Sequence, residues 1–137
     1  MSVLTDDFLK QKIVWKRIGS SLRFSYDDKG LFGLDSTCIM TGKDVEVICA
    51  VLNSYMGQYL LKESPKTGTG DLIVSVQALE PILLPKTIDK SLCTLFKKQI
   101  EKYSDHTQNE INNIIYRAYN LSVAEIEYIE LYTRIFQ

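Results

Sequence analysis

The sequence has few of the residues on which most catalytic and metal sites depend. It contains one histidine and three cysteines among 137 residues. Cys38, Cys49 and Cys93 are odd in number and far apart, which argues against a disulfide framework and against a zinc site. His106 stands beside Asp105 with no cysteine or nucleophile near it in the sequence. We therefore interpret His106 as a surface residue. The odd number and wide separation of the cysteines favour a reducing, cytoplasmic location.

The sequence also lacks long apolar runs and a strong charge of either sign. No stretch approaches the roughly 18 apolar residues of a membrane span. The net charge is −1, although DNA-binding domains are usually basic. Residues 1–66 hold nine Lys/Arg against eight Asp/Glu, and residues 106–137 hold two against four. Any nucleic-acid surface must therefore come from local clusters in the first two thirds of the chain.

Alternating apolar residues predict strands near the start of the chain. Lys12 to Ile18 and Leu22 to Tyr26 alternate with a period of two, and Asp35 to Thr41 predicts a third strand. The simplest arrangement is a three-stranded antiparallel meander. Trp15 alternates with Ile13, which favours a role in the core.

A helical period follows. Apolar spacings of three and four predict one helix over 44–61 and another over 89–103, with short strands at 72–76 and 81–85 around a single helical turn. Thr107 with Glu110 and Ser122 with Glu125 match the capping box, and Asn120 suits a left-handed cap. The fold class is α+β, a small antiparallel or mixed sheet packed with an amphipathic helix and followed by C-terminal helices. We expect a domain over 1–105 and a helical tail over 106–137 packed on it, in which Tyr116, Tyr119, Tyr128 and Tyr132 make core and helix–helix contacts.

The loop from Ser64 to Asp71 combines two glycines, two threonines, a serine and a lysine. Glycine lets the backbone approach a ligand, and hydroxyl, ammonium and backbone N–H groups are the donors that phosphate binding uses. The alternative is an ordinary helix-to-strand connection, since loops are commonly polar.

A second cluster comprises Lys16, Arg17 and Arg23 on a predicted hairpin. Arginine can read guanine and lysine binds phosphate, but a solvated strand face would have the same composition. Asp27 and Lys29 match the end of a nuclease motif. They lie in a predicted turn with no upstream acidic partner, so we interpret the match as chance.

Three segments together resemble the TaqI-like C-terminal specificity domain of type IIG restriction-modification enzymes. They are Lys12–Trp15 with Arg23–Gly30, then Leu52–Ser54 with Lys66–Asp71 and Pro81–Pro85, and finally Glu110–Tyr116 with Tyr119–Ile126. The resemblance implies a target-recognition domain, with no catalytic role of its own, that binds double-stranded DNA. It implies a bacterial parent enzyme that methylates adenine with S-adenosylmethionine and cleaves DNA with Mg²⁺, while this chain holds neither cofactor. We expect the chain to be a truncated C-terminal piece whose partners are the methyltransferase and nuclease domains. The predicted DNA-binding residues are Lys16, Arg17, Arg23, Lys62, Ser64, Lys66, Thr67 and Thr69.

Two other functions remain open. The near-neutral charge and the acidic C-terminal helices would suit a protein-interaction module that docks methyltransferase or nuclease subunits. A small metal-dependent nuclease built on Asp27 and Asp28 is the other alternative.

Overall fold

The computed structural model describes residues 11–16, 18–19, 23–29, 37–42, 44–62, 64–68 and 72–136. The chain divides into two compact units, the first of residues 1–45 and 63–82, the second of residues 46–62 and 83–137. The α+β class is confirmed, since strands dominate the first unit and helices form the second. The predicted boundary at residue 105 stays a prediction. Along the chain the elements are β1 (Lys12–Lys16), β2 (Ile18–Gly19), β3 (Phe24–Asp27), β4 (Thr37–Thr41), α1 (Val45–Asn53), α2 (Tyr55–Leu60), β5 (Leu72–Ile73), α3 (Val76–Leu79), α4 (Ser91–Glu101), α5 (Asp105–Ala118) and α6 (Val123–Phe136).

The main sheet of the first unit has the strand order β3-β1-β4, and β1 is antiparallel to both neighbours. The predicted three strands are present, but the predicted meander is wrong, because a meander would place the second strand in the centre. Ile13 and Trp15 of β1 are buried. A strand with such residues gains most from a neighbour on each side, which accounts for its central place.

A second, smaller ladder lies in the same unit. β2 pairs antiparallel with β5, with Ile18 opposite Ile73 and Gly19 opposite Leu72. On its other side Leu72 forms a bridge with Lys66, and the Ile73 amide donates to the Pro65 carbonyl at 2.7 Å. These contacts hold Pro65 and Lys66 beside β5.

The strand predicted over residues 81–85 is wrong, while the helical turn predicted before it is present as α3. Residues 81–85 form a turn and irregular structure. Proline cannot donate to a strand ladder, and this segment has one at each end. Leu83 is 81% exposed, so the apolar run between the prolines does not enter the core.

The helix predicted over residues 44–61 is also wrong in one respect, because Ser54 divides it into α1 and α2. The Ser54 hydroxyl donates to the Val51 carbonyl at 2.6 Å and accepts from the Gly57 amide at 3.2 Å. It thus ends one helix and caps the next. The buried Asn112 side chain accepts from the Tyr55 amide at 3.4 Å, so it satisfies a donor in the first turn of α2.

Three longer helices complete the second unit. α5 begins one turn earlier than predicted, because Ser104 is its N-cap and accepts from the Thr107 amide at 3.0 Å. Thr107 is buried inside the helix instead of capping it. The capping box of α6 is confirmed, with the Ser122 amide donating to Glu125 at 2.8 Å and the Glu125 amide donating to Ser122 at 3.2 Å. Asn120 has φ 55°, as the predicted left-handed cap requires.

Aromatic contacts join α2 to α6. The Tyr59 ring meets Tyr128 and Tyr132 edge to face, with centroid separations of 6.0 and 5.5 Å, an arrangement that suits the ring quadrupoles. Tyr116 is buried, and burial raises its pKa. The Tyr119 hydroxyl donates to the Leu83 carbonyl at 2.8 Å. The prediction of core and helix–helix contacts is confirmed for Tyr116, Tyr128 and Tyr132, whereas Tyr119 binds an irregular segment instead.

All three cysteines are free thiols. Cys38 and Cys93 are half-buried, whereas Cys49 is buried in α1. Burial raises the pKa of Cys49 to about 12, opposed by a hydrogen bond from Asn53. In the part of the chain that the structure describes, no helix has the length and apolar character needed to cross a membrane.

Candidate nucleic-acid interface

One face of the main sheet ends in two exposed basic residues. The register pairs Lys12 with Asp27, Val14 with Ser25 and Trp15 with Phe24. By the same register Lys16, at the end of β1, stands level with Arg23. Both side chains are exposed. Ile13, Trp15 and Phe24 occupy the opposite, buried face.

Lys16 and Arg23 are like charges at opposed positions on neighbouring strands. Side chains in such positions have Cβ atoms about 4.5–5.5 Å apart, and like charges there are destabilising. An anion bound between the two side chains would attract both, so the net interaction would become favourable. The pair is therefore suited to hold a phosphate group between two cations.

The polar loop lies close to this pair in the same unit. β2 begins two residues after Lys16, and its Gly19 is separated from Lys66 only by Leu72 of β5. Strands are spaced about 4.8 Å apart and rise about 3.3 Å per residue. The Cα atoms of Lys16 and Lys66 therefore lie at most roughly 20 Å apart. The two clusters that the sequence suggested separately thus lie within that distance of each other in the same unit. We call them together the sheet-edge patch, comprising Lys16, Arg23, Ser64, Lys66 and Thr67.

Two interactions hold this surface in register. The Trp15 indole donates to the Val74 carbonyl at 2.8 Å, which ties β1 to the residue that follows β5. At the far end of β1 the buried Lys12 ammonium forms an ion pair with Asp27. Asp27 also accepts from the Lys29 amide at 2.9 Å. Sequence reasoning identified Trp15 as a core residue but missed the role of Lys12, because lysine is seldom buried.

The carboxylate of Asp27 is thus engaged by an ammonium and a backbone amide. Such a carboxylate stabilises a turn and a strand pair and is poorly placed to hold a metal ion. In the described ranges no group of three or more His, Cys, Asp or Glu residues is arranged to bind a metal. The His106 side chain is exposed, which confirms its predicted surface position. Its Nε2 atom lies 3.2 Å from Oε1 of Glu110 on α5.

The predicted site residues fall into three sets. Lys16, Arg23 and Lys66 are exposed, and Ser64 and Thr67 are half-buried, all in the first unit. Lys62 belongs to the second unit, where its Nζ lies 4.2 Å from the centroid of the Tyr59 ring in a cation–π contact. Arg17 and Thr69 lie outside the described residues.

Comparison with protein families gives a match over the first part of the chain. The model of the TaqI-like C-terminal specificity domain matches residues 3–82, which is more than half of the chain. The match includes β1 to β5, α1, α2 and α3 and ends before α4. It excludes the resembling segments at Glu110–Tyr116 and Tyr119–Ile126. No curated protein and no solved structure gave a significant match.

Proposed function

Because the chain belongs to the family of TaqI-like C-terminal specificity domains, a target-recognition family of restriction-modification systems, we propose that it binds duplex DNA through the sheet-edge patch. Lys16, Arg23 and Lys66 contact phosphates. Ser64 and Thr67 supply hydroxyl donors that set the register on the backbone. The predicted Arg17 and Thr69 join them from the same two segments.

The observation that carries this proposal is the shared ladder of β2, β5 and Lys66. It brings the backbone of the basic strand end and that of the hydroxyl-rich loop within about 20 Å of each other, which supports a shared binding surface. Phosphates on one DNA strand follow one another every 3.4 Å along the helix axis, so about six steps span that length. The patch can therefore contact several phosphates of one duplex at once.

We further propose the parent enzyme that the sequence resemblance implies. It would be a bacterial, cytoplasmic type IIG protein that methylates adenine with S-adenosylmethionine and cleaves DNA with Mg²⁺. Both cofactors would be held by its methyltransferase and nuclease domains, to which this chain presents the target. The chain itself acts by binding and has no catalytic residue in the proposal. The metal-nuclease alternative loses its support, because Asp27 is committed to Lys12.

Combining Lys66→Ala with Arg23→Ala should weaken DNA binding and flatten its salt dependence. Each lost phosphate contact lowers the slope of log K against log salt by about 0.9, so the double variant should lose about two units. The measurement is a titration of wild type and variant with random-sequence duplex DNA at four or more salt concentrations.

The matched control is Lys29→Ala, an exposed lysine of the same unit located beyond the other end of β3. It removes a positive charge while leaving the sheet-edge patch intact. The slope of log K against log salt for this variant should therefore stay within about half a unit of wild type, which is less than one phosphate contact contributes. An unchanged slope in the double variant, or an equal loss in the control, would count against the patch.

A protein-interaction module is the second candidate, and one feature of α6 favours it. Tyr128, Leu131 and Ile135 recur at helical spacing and are 59%, 50% and 62% exposed. Exposed apolar residues on one face are typical of docking helices. Methyltransferase or nuclease subunits would be the partners. DNA binding that is weak and insensitive to salt would favour this function over the first.

A further inference from the structure

The second unit carries a row of lysines that the sheet-edge patch does not include. Residues 86–102 hold five lysines against Asp89 and Glu101, a balance of +3, although the whole chain has a net charge of −1. Every one of the five is exposed. The lysines are Lys86, Lys90, Lys97, Lys98 and Lys102.

Four of these lysines lie along α4 or at its two ends. The helix buries Leu92 and Phe96. With 3.6 residues per turn, Lys90, Lys97 and Lys98 fall on the side away from those two residues. A rise of 1.5 Å per residue separates Lys90 from Lys98 by roughly 12 Å and from Lys102 by roughly 18 Å. The row thus extends over the length of about five phosphate steps of one DNA strand.

Polar donors border this row. A groove of about 500 Å³ between α4 and α5 is lined by the polar residues Ser91, Thr94, Asn113 and Arg117, together with Leu95, Ile114 and Glu110. Hydroxyl, amide and guanidinium groups are all used to contact DNA phosphates. We define the α4 patch as Lys90, Lys97, Lys98 and Lys102 with Ser91, Thr94 and Arg117.

Of the acids near the row, Asp89 is held in place by hydrogen bonds at the start of α4 and stays ionised. It accepts from the Ser91 amide at 2.9 Å. That backbone hydrogen bond, then the Ser91 side chain and the nearby Arg117 cation, hold the pKa of Asp89 below its usual value. Glu101, Asp105 and Glu110 are the other acids on or beside α4 and the first half of α5, so four acids stand against the five cations of the patch and leave a balance of +1.

We propose that the α4 patch is a second DNA-binding surface, one that contacts duplex phosphates without regard to base sequence. It lies outside residues 3–82, so membership of the family does not assign it. The proposal rests on the proposed function in taking duplex DNA as the partner. Its residues are separate from the sheet-edge patch, so the two surfaces can be tested independently.

Replacing Lys90, Lys97, Lys98 and Lys102 together by glutamine should lower the salt slope by about two to four units, since each lysine–phosphate contact contributes about 0.9. Binding at low salt should weaken at least tenfold. Two unrelated duplex sequences should lose affinity equally, because phosphate contacts carry no base information. The full chain is titrated with each duplex across a salt series, and circular dichroism checks that the variant is folded.

Two control variants sharpen the test. Changing the same four lysines to arginine keeps the charge and should keep the wild-type slope within one unit. Lys29→Gln with Arg134→Gln removes two exposed charges elsewhere and should change the slope far less per charge removed.

The outcomes separate the two proposals. If the glutamine variant keeps the wild-type slope while the Lys66/Arg23 variant loses its two units, the α4 patch is refuted and the sheet-edge patch stands. If only the glutamine variant loses slope, the α4 patch is supported and the sheet-edge patch is refuted. Wild-type chain that binds no DNA at low salt overturns both.

Discussion

Replacing Gly57 by alanine should lower the free energy of unfolding by about 3 kcal/mol or more, the upper part of the range for overpacked sites. A methyl group at this position would lie 2.7 Å from the carbonyl carbon of Leu52 and closer still to the carbonyl oxygens of Val51 and Leu52. These atoms belong to the backbone of α1, so no change of rotamer can relieve the contact. The α1–α2 junction would have to open, and Ser54 would lose its bond to the Gly57 amide.

Gly68→Ala is the matched control. Nothing lies within 4 Å of the position that its methyl group would occupy, so its stability should stay within about 1 kcal/mol of wild type. Urea unfolding followed by circular dichroism measures both variants. Equal midpoints for the two would mean that the close approach of α2 to α1 is not needed for stability.

The second large effect is expected at Asp27. Asp27→Ala removes the carboxylate that forms an ion pair with the fully buried Lys12 ammonium. Removing one member of a buried ion pair typically costs about 3–5 kcal/mol, because the remaining charge stays desolvated. The turn would also lose the hydrogen bond from the Lys29 amide. The same urea experiment should therefore show a large shift of the unfolding midpoint.

Asp28→Ala provides the comparison, since Asp28 is adjacent and exposed; such a change should stay within about 0.5 kcal/mol. Combining Asp27→Leu with Lys12→Met should recover most of the stability, because apolar residues of similar volume can replace a buried ion pair. An Asp27→Ala protein as stable as wild type would show that the Asp27 carboxylate is not needed to hold the buried Lys12 ammonium. Asp27→Ala protein that stays folded but loses Mg²⁺-dependent DNA cleavage would revive the nuclease alternative.

Local sequence patterns predicted most of the helices and strands. They failed where contacts between residues far apart in the sequence determine the structure. Period-two alternation located β1, β3 and β4, but the order of strands depends on which of them the rest of the unit buries. The apolar stripe from Val45 to Leu60 predicted one helix, because both α1 and α2 bury residues of that stripe. Ser54 and Gly57 were the only local signs of the break. Ser104 and Thr107 are both good caps, and burial of Thr107 decided between them.

The candidate site shows the same division. Residue types alone identified the basic cluster and the polar loop, since hydroxyl, ammonium and guanidinium groups are what phosphate binding requires. That Lys16 and Lys66 lie within about 20 Å of each other follows only from the β2–β5 pairing, which joins residues more than fifty positions apart. The lysines of the α4 patch do not appear in the charge balance of residues 1–66 or of residues 106–137. The balance of +3 over residues 86–102 is the sequence signal that indicates them.

The differing environments of the three thiols make the native chain ready for spectroscopic labelling. Alkylating dyes react with the thiolate, and a buried Cys49 with its pKa raised to about 12 has almost none at neutral pH. The half-buried Cys38 and Cys93 remain, one in each compact unit. With a donor dye on one of these cysteines and an acceptor dye on the other, energy transfer would measure the distance between them without any mutation. A change in that distance when DNA is added would show that the two units move relative to each other.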